Sequence, residues 1–188
     1  MEPEVRKFVV QGTARPRGFC GVKLAETTTE TPRRPRWIEM TLYREWTVVR
    51  DEAGVPVEPL VALAPAGYWL HNVGKSVVYH ALESGCSRGA RPTEVRYLPS
   101  DAEPHPGCGL PLDQLADGTM VDMEEDRSSL FNEPDLRSLL IRLAGPDVHY
   151  EPDAMPEVDD LSQPAQQLLH RAADLDADIA AIVHVIRW

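Results

Sequence analysis

Hydrophobic and polar residues keep two different periods along this chain, alternating in the first half and recurring at helical spacing in the last third. Residues 5–10 are an apolar run suited to a short strand. Residues 37–50 alternate in part, with Ile38, Met40 and Leu42 set against Glu39, Thr41 and Tyr43, the period of a half-buried strand. Residues 60–64 suggest another strand, ended by Pro65-Ala66-Gly67. Residues 68–71 and 73–80 read as a hairpin, with Asn72 and Gly74 near its turn. Between these stretches, residues 12–21 are rich in breakers and read as loop. Residues 22–36 read as a linker or extended arm, and residues 51–54 as a turn.

The helical pattern begins after residue 131. Asn132 is placed to cap a helix with Pro134 in its first turn, Leu136, Leu139, Leu140 and Leu143 on one face, and Gly145-Pro146 as the stop. Residues 146–160 form a Pro- and acid-rich connector. Ser162 then caps a second helix whose stripe (Leu168, Leu169, Ala172, Leu175, Ile179, Ile182, Val183, Ile186) runs almost to the last residue. Such a stripe is core, or the face of a homo-oligomer over residues 165–186. The fold expected is α+β: a small, mainly antiparallel sheet, a stapled loop and two C-terminal helices. Three segments follow: residues 1–36, basic, with a strand and linker; 37–115, β-rich; and 116–188, acidic and helical.

Composition narrows the classes. The chain has 188 residues, 43% hydrophobic and 26% charged, enough apolar material for a packed core. No run approaches a membrane span, and the start, Met-Glu-Pro-Glu, has no secretory h-region, so membrane and secreted readings are set aside. Three cysteines make a disulfide framework improbable and point to a cytoplasmic location. The net charge of −11 is unevenly spread: residues 1–50 hold ten Lys/Arg against six Asp/Glu, residues 101–188 five against nineteen. That balance opposes non-specific duplex binding by the whole chain. A basic segment, Arg33, Arg34 and Arg36 beside Trp37, remains a candidate contact for nucleic acid or an acidic protein, with the indole as a stacking platform.

The strongest chemistry lies around the Gly/Pro-dense stretch at residues 83–111. Four donors bracket it: His80, Cys86, His105 and Cys108. Zinc takes four N/S donors at tetrahedral corners, usually from two close pairs joined by a spacer. The turn His105-Pro106-Gly107-Cys108-Gly109 supplies one pair at knuckle spacing. Two neutral imidazoles and two thiolates make a neutral Zn(II) centre, which is cheaper to bury than a charged one. Unligated side chains or a Cys86–Cys108 disulfide are the alternatives.

Tyr79-His80, the cysteine six residues on, and Pro104-His105-x2-Cys108 together resemble small bacterial zinc-binding modules such as the metal-binding module of the Ada DNA-repair protein. The resemblance covers residues 79–109. His105 stands where that pattern has cysteine, and the first spacing is one residue longer. The wider layout is similar to uncharacterised actinobacterial and actinophage proteins, implying a phage or mobile-element origin. The function read from these residues is that of a non-enzymatic zinc-binding accessory protein acting through protein or nucleic-acid contacts, with His80, Cys86, His105 and Cys108 as structural ligands and no catalytic residue.

An alternative is a zinc-dependent hydrolase of the nucleotide or nucleobase deaminase type. It would read His80-Ala81-Leu82-Glu83 and Pro104-His105-x2-Cys108 as its signature, with Glu83 or Glu103 as proton shuttle. Gly74-Lys75-Ser76 imitates a phosphate loop but lacks the earlier glycine, where Trp69 stands, and reads as the hairpin turn. Asp174 and Asp178 share a helix face that Asp176 does not, and all three read as solvated. Cys20, with no histidine nearby, reads as a lone buried or idle thiol and not as a nucleophile.

Overall fold

Among the described residues, six strands and three α-helices build the expected α+β fold. They are β1 (Arg6–Gln11), β2 (Pro16–Thr28), β3 (Arg36–Val48), β4 (Ala62–Ala81), β5 (Gly85–Arg88), β6 (Met120–Glu133), α1 (Leu136–Ala144), α2 (Gln163–Ala173) and α3 (Ala177–Val185). A computed structural model describes residues 4–12, 15–30, 36–81, 85–88, 120–145 and 154–185, with backbone alone for 76–81, 85–88 and 120–126. Strands are hydrogen-bonded in the order β1-β2-β3-β4-β5, and β6 also pairs with β4. The β1/β2, β2/β3 and β4/β5 ladders are antiparallel. No helix among the described residues is long and apolar enough to cross a membrane.

Several expectations give way to longer strands. Residues 16–21 of the expected loop are strand: β2 starts at Pro16, where a strand tolerates proline, and pairs with β1 from Gln11↔Pro16 to Arg6↔Gly21. Residues 22–28 of the expected linker continue the same strand. The breakers misled because one of them has a structural use. A side chain at Gly21 would sit 2.2 Å from the Arg44 carbonyl oxygen, so only glycine lets β2 and β3 close at that point.

The expected hairpin at residues 68–80 is absent. β4 runs unbroken for 20 residues, through Pro65, Gly67, Asn72 and Gly74. Gly67, with φ +152°, lies where an added Cβ would be 3.1 Å from the Glu133 carbonyl oxygen, so this glycine serves a close approach rather than a turn. Residues 120–133, expected in the helical region, are β6. The turn at residues 51–54 is present: Gly54 has φ +79°, and Asp51 Oδ1 accepts from the Ala53 and Val55 amides.

The helices also shift. Asp135, not Asn132, caps α1, its carboxylate accepting from the Ser138 amide at 2.7 Å. That bond holds the Asp135 carboxyl below its usual range. The single second helix is two, α2 and α3, parted at residues 174–176 because Asp176 turns its carboxylate onto the next helix's amides, Asp178 N and Ile179 N, both at 3.0 Å.

The chain divides into two compact units, residues 1–29, 39–72 and 128–188 in one, and residues 30–38 and 73–127 in the other. Three of the four boundaries fall inside strands, in β3, β4 and β6, and the fourth follows the end of β2. In the first unit alternate strand residues face opposite ways. Val22, Leu24, Leu42, Tyr68 and Leu70 meet Leu139, Leu140 and Leu143 of α1, Leu168, Leu169 and Ala172 of α2, and Ile179 of α3. Leu42, Leu139 and Leu168 are fully buried, each contributing roughly 2 kcal/mol of transfer free energy. A second cluster holds Val10, Phe19 and Tyr43 with Phe8, Trp69 and Leu130, where Phe19 stacks on Trp69 at 5.3 Å between ring centroids. Of the second unit, the β4–β5 hairpin is described by its register, Val78↔Arg88 to Ala81↔Gly85.

Candidate functional site

Two of the four expected zinc ligands fall on one rung of a ladder. His80 of β4 and Cys86 of β5 are register partners in an antiparallel pair. Such partners have Cα atoms about 4.5–5.5 Å apart. Five residues separate them in sequence, and the antiparallel return converts that spacing into adjacency. His105 and Cys108 lie outside the described residues, and among the described residues no group of three or more His, Cys, Asp or Glu could hold a metal ion. His80 stands in a strand, whereas the deaminase pattern needs its histidine and glutamate on a helix.

The candidate contact segment divides. Arg33 and Arg34 lie outside the described residues, and Arg36 is exposed. Trp37 is only 6% exposed, which leaves its indole no open face for stacking on a base. In the 165–186 stripe, Leu168, Leu169, Ala172 and Ile179 are buried in the first unit's core, so they are not on offer to a second copy. Leu175, counted in that stripe, is 48% exposed because the chain leaves the helix there. Cys20 is buried among core residues.

Sequence reasoning missed a polar cluster in the first unit. Arg44 of β3 lays its guanidinium 4.2 Å from the centroid of the Tyr68 ring. Its Nη2 meets Asp178 Oδ2 at 3.1 Å, and its Nη1 lies 3.8 Å from Asp176 Oδ2. Tyr68 donates its hydroxyl to Asp176 Oδ1 at 3.3 Å. The Asp176 side chain is only 8% exposed, yet it caps α3 and so has amide donors as well as the cation. Beside the cluster is a cleft of about 270 Å³ lined by Val22, Leu24, Trp46, Pro65 and Leu175. An Asp two residues before a second Asp, at the break in an apolar stripe, was the available signal of a capped helix start. The helical-face reading hid it by assuming no break.

Burial, and next the Asp176 charge, push the Tyr68 phenol well above its ordinary value of 10.0. A phenol raised on folding binds its proton more tightly in the native state. Its contribution is therefore complete below pH 10 and lost as pH climbs toward the folded value. Tyr68→Phe is expected to flatten the alkaline limb of the stability profile above pH 10, read by urea unfolding from pH 8 to 11. An unchanged alkaline slope contradicts the assignment.

One pair has the look of a nucleophile and its base. His71 Nε2 is 2.8 Å from Ser128 Oγ, but Ser128 donates its single proton to the Gln11 carbonyl. That hydrogen bond leaves the imidazole no serine proton to take, so the pair ties β1, β4 and β6 together. Compared with protein-family models, with curated proteins and with solved structures, the chain gave no match.

Proposed function

We propose that the chain is a cytoplasmic, non-enzymatic zinc-binding accessory protein that acts through protein or nucleic-acid contacts. The observation that supports it is the pairing of His80 with Cys86 in the β4–β5 ladder. The backbones of these two residues are paired before any metal binds, so part of the ordering cost of that half of a site is carried by the ladder. His105 and Cys108, at knuckle spacing between Pro104 and Gly109, are the second pair of a His2Cys2 set. Zinc would act there as a cross-link between the hairpin and the Gly/Pro-dense stretch. The exposed Arg36, with Arg33 and Arg34, is the basic contact in this reading, without Trp37 as a stacking platform.

Native mass spectrometry of protein purified without added metal tests it. One zinc per chain is expected in the wild type, and none in Cys86→Ala or Cys108→Ala. A folded wild type without zinc, or full zinc in both variants, removes the proposal.

A further inference from the structure

We infer that the excursion between β3 and β4 together with the first residues of β4, residues 49–63, is a docking surface for a partner-protein segment that is aliphatic at its centre and basic at its flanks. Its residues belong neither to the proposed metal site nor to the basic 33–36 segment.

Large exposed hydrophobic residues gather there. Val49, Val55, Val57, Val61 and Leu63 are 39%, 53%, 41%, 53% and 64% exposed. Single exposed aliphatics are ordinary, but a cluster on one short segment marks an interaction surface. This cluster is also held in shape. The Val49 amide donates to Val61 O at 3.3 Å, the Val57 amide to Val49 O at 3.1 Å, and the Asp51 amide to Val55 O at 2.9 Å. Arg50 Nη1 adds a bond to Gly54 O at 2.8 Å, and Asp51 Oδ1 accepts from two amides of the turn. Four of the five side chains are valines, which lose little rotamer freedom when covered. An ordered, stiff, aliphatic surface incurs little entropic cost on binding.

Charge selects the occupant. Glu58 is joined to Lys7 at 2.6 Å, while Asp51 and Glu52, both exposed, outnumber Arg50. Within residues 49–63 the three carboxylates of Asp51, Glu52 and Glu58 stand against the one arginine. A basic partner is drawn to this surface and an acidic one repelled. A second copy would oppose the same acidic surplus to itself, which disfavours a face-to-face dimer.

The test titrates the full chain, followed by amide NMR, with a capped Lys-Val-Leu-Val-Lys peptide and with its Glu-Val-Leu-Val-Glu counterpart. Shifts confined to residues 49–63 are expected, with the lysine peptide binding about three- to tenfold tighter and the difference shrinking as salt rises. Val55→Ser/Leu63→Ser, at exposed positions, keeps the wild-type melting temperature and loses the shifts. Equal binding of both peptides, shifts elsewhere, or none at millimolar peptide overturns the inference. So does concentration-dependent broadening of the same residues without peptide, which would make a second copy the occupant.

Discussion

Gly21→Ala is expected to lower stability by about 3 kcal/mol, at the upper end of the cost of overpacking. The added Cβ would meet backbone on the paired strand, 2.2 Å from the Arg44 carbonyl oxygen and 3.2 Å from Glu45 Cα. No rotamer relieves a clash between main chains, so the β2–β3 ladder must part around Gly21↔Glu45. Gly18 in the same strand is the control. An added Cβ there meets nothing nearer than 3.8 Å. Gly18→Ala should therefore be neutral or stabilising by about 0.5 kcal/mol, because alanine has less freedom to lose on folding. Urea unfolding reads both: a midpoint lowered by about 1.5 M in the first and unchanged or raised in the second. Equal midpoints would show that the ladder yields at little cost.

Asp176→Ala is expected to cost about 3 kcal/mol or more. One carboxylate is asked to cap α3, accept the Tyr68 hydroxyl and face Arg44, and its side chain is 8% exposed. Its loss strands a guanidinium whose side chain is only 14% exposed. The remaining partner, Asp178, is 67% exposed, and Asp178→Ala should cost less than about 1 kcal/mol. Asp176→Asn keeps an acceptor for the helix amides and should recover about 1 kcal/mol. Urea unfolding followed by far-ultraviolet circular dichroism separates the three. If Asp176→Ala and Asp178→Ala fall together, the two carboxylates are equivalent surface charges and the cluster has no buried keystone.

How far these features could be read beforehand depended on whether a residue's role was local. The alternation at residues 37–50 and the stripe through Leu168, Leu169 and Ala172 express contacts on one face of one element, and both elements are present. Gly21, Gly67 and Gly74 serve or tolerate long-range pairing, so read locally they mimic turns, and two strands were shortened or broken on their account. Asp176 was taken as solvent-facing because its partners, Arg44 and Tyr68, are more than a hundred residues away. Trp37 illustrates the same limit: an aromatic beside arginines suggests a stacking platform, and burial decides otherwise. His80 and Cys86, proposed as a close pair from their spacing, are set on one rung by the short-range β4–β5 pairing, where the sequence suggested a turn at Cys86.

The irregular register of β2 bears on how this fold tolerates changes in length. Lys23 pairs with Tyr43 and Ala25 with Leu42, so Leu24 has no rung of its own. Val22 and Leu24 are buried before the shift and Ala25 and Thr27 after it. A residue removed elsewhere in a strand turns every later side chain to the wrong face. Removing Leu24 would instead leave both halves in phase, with Val22, Ala25 and Thr27 still turned toward the helices. The extra residue makes this a joint at which homologous chains can differ by one residue and keep the same ladder.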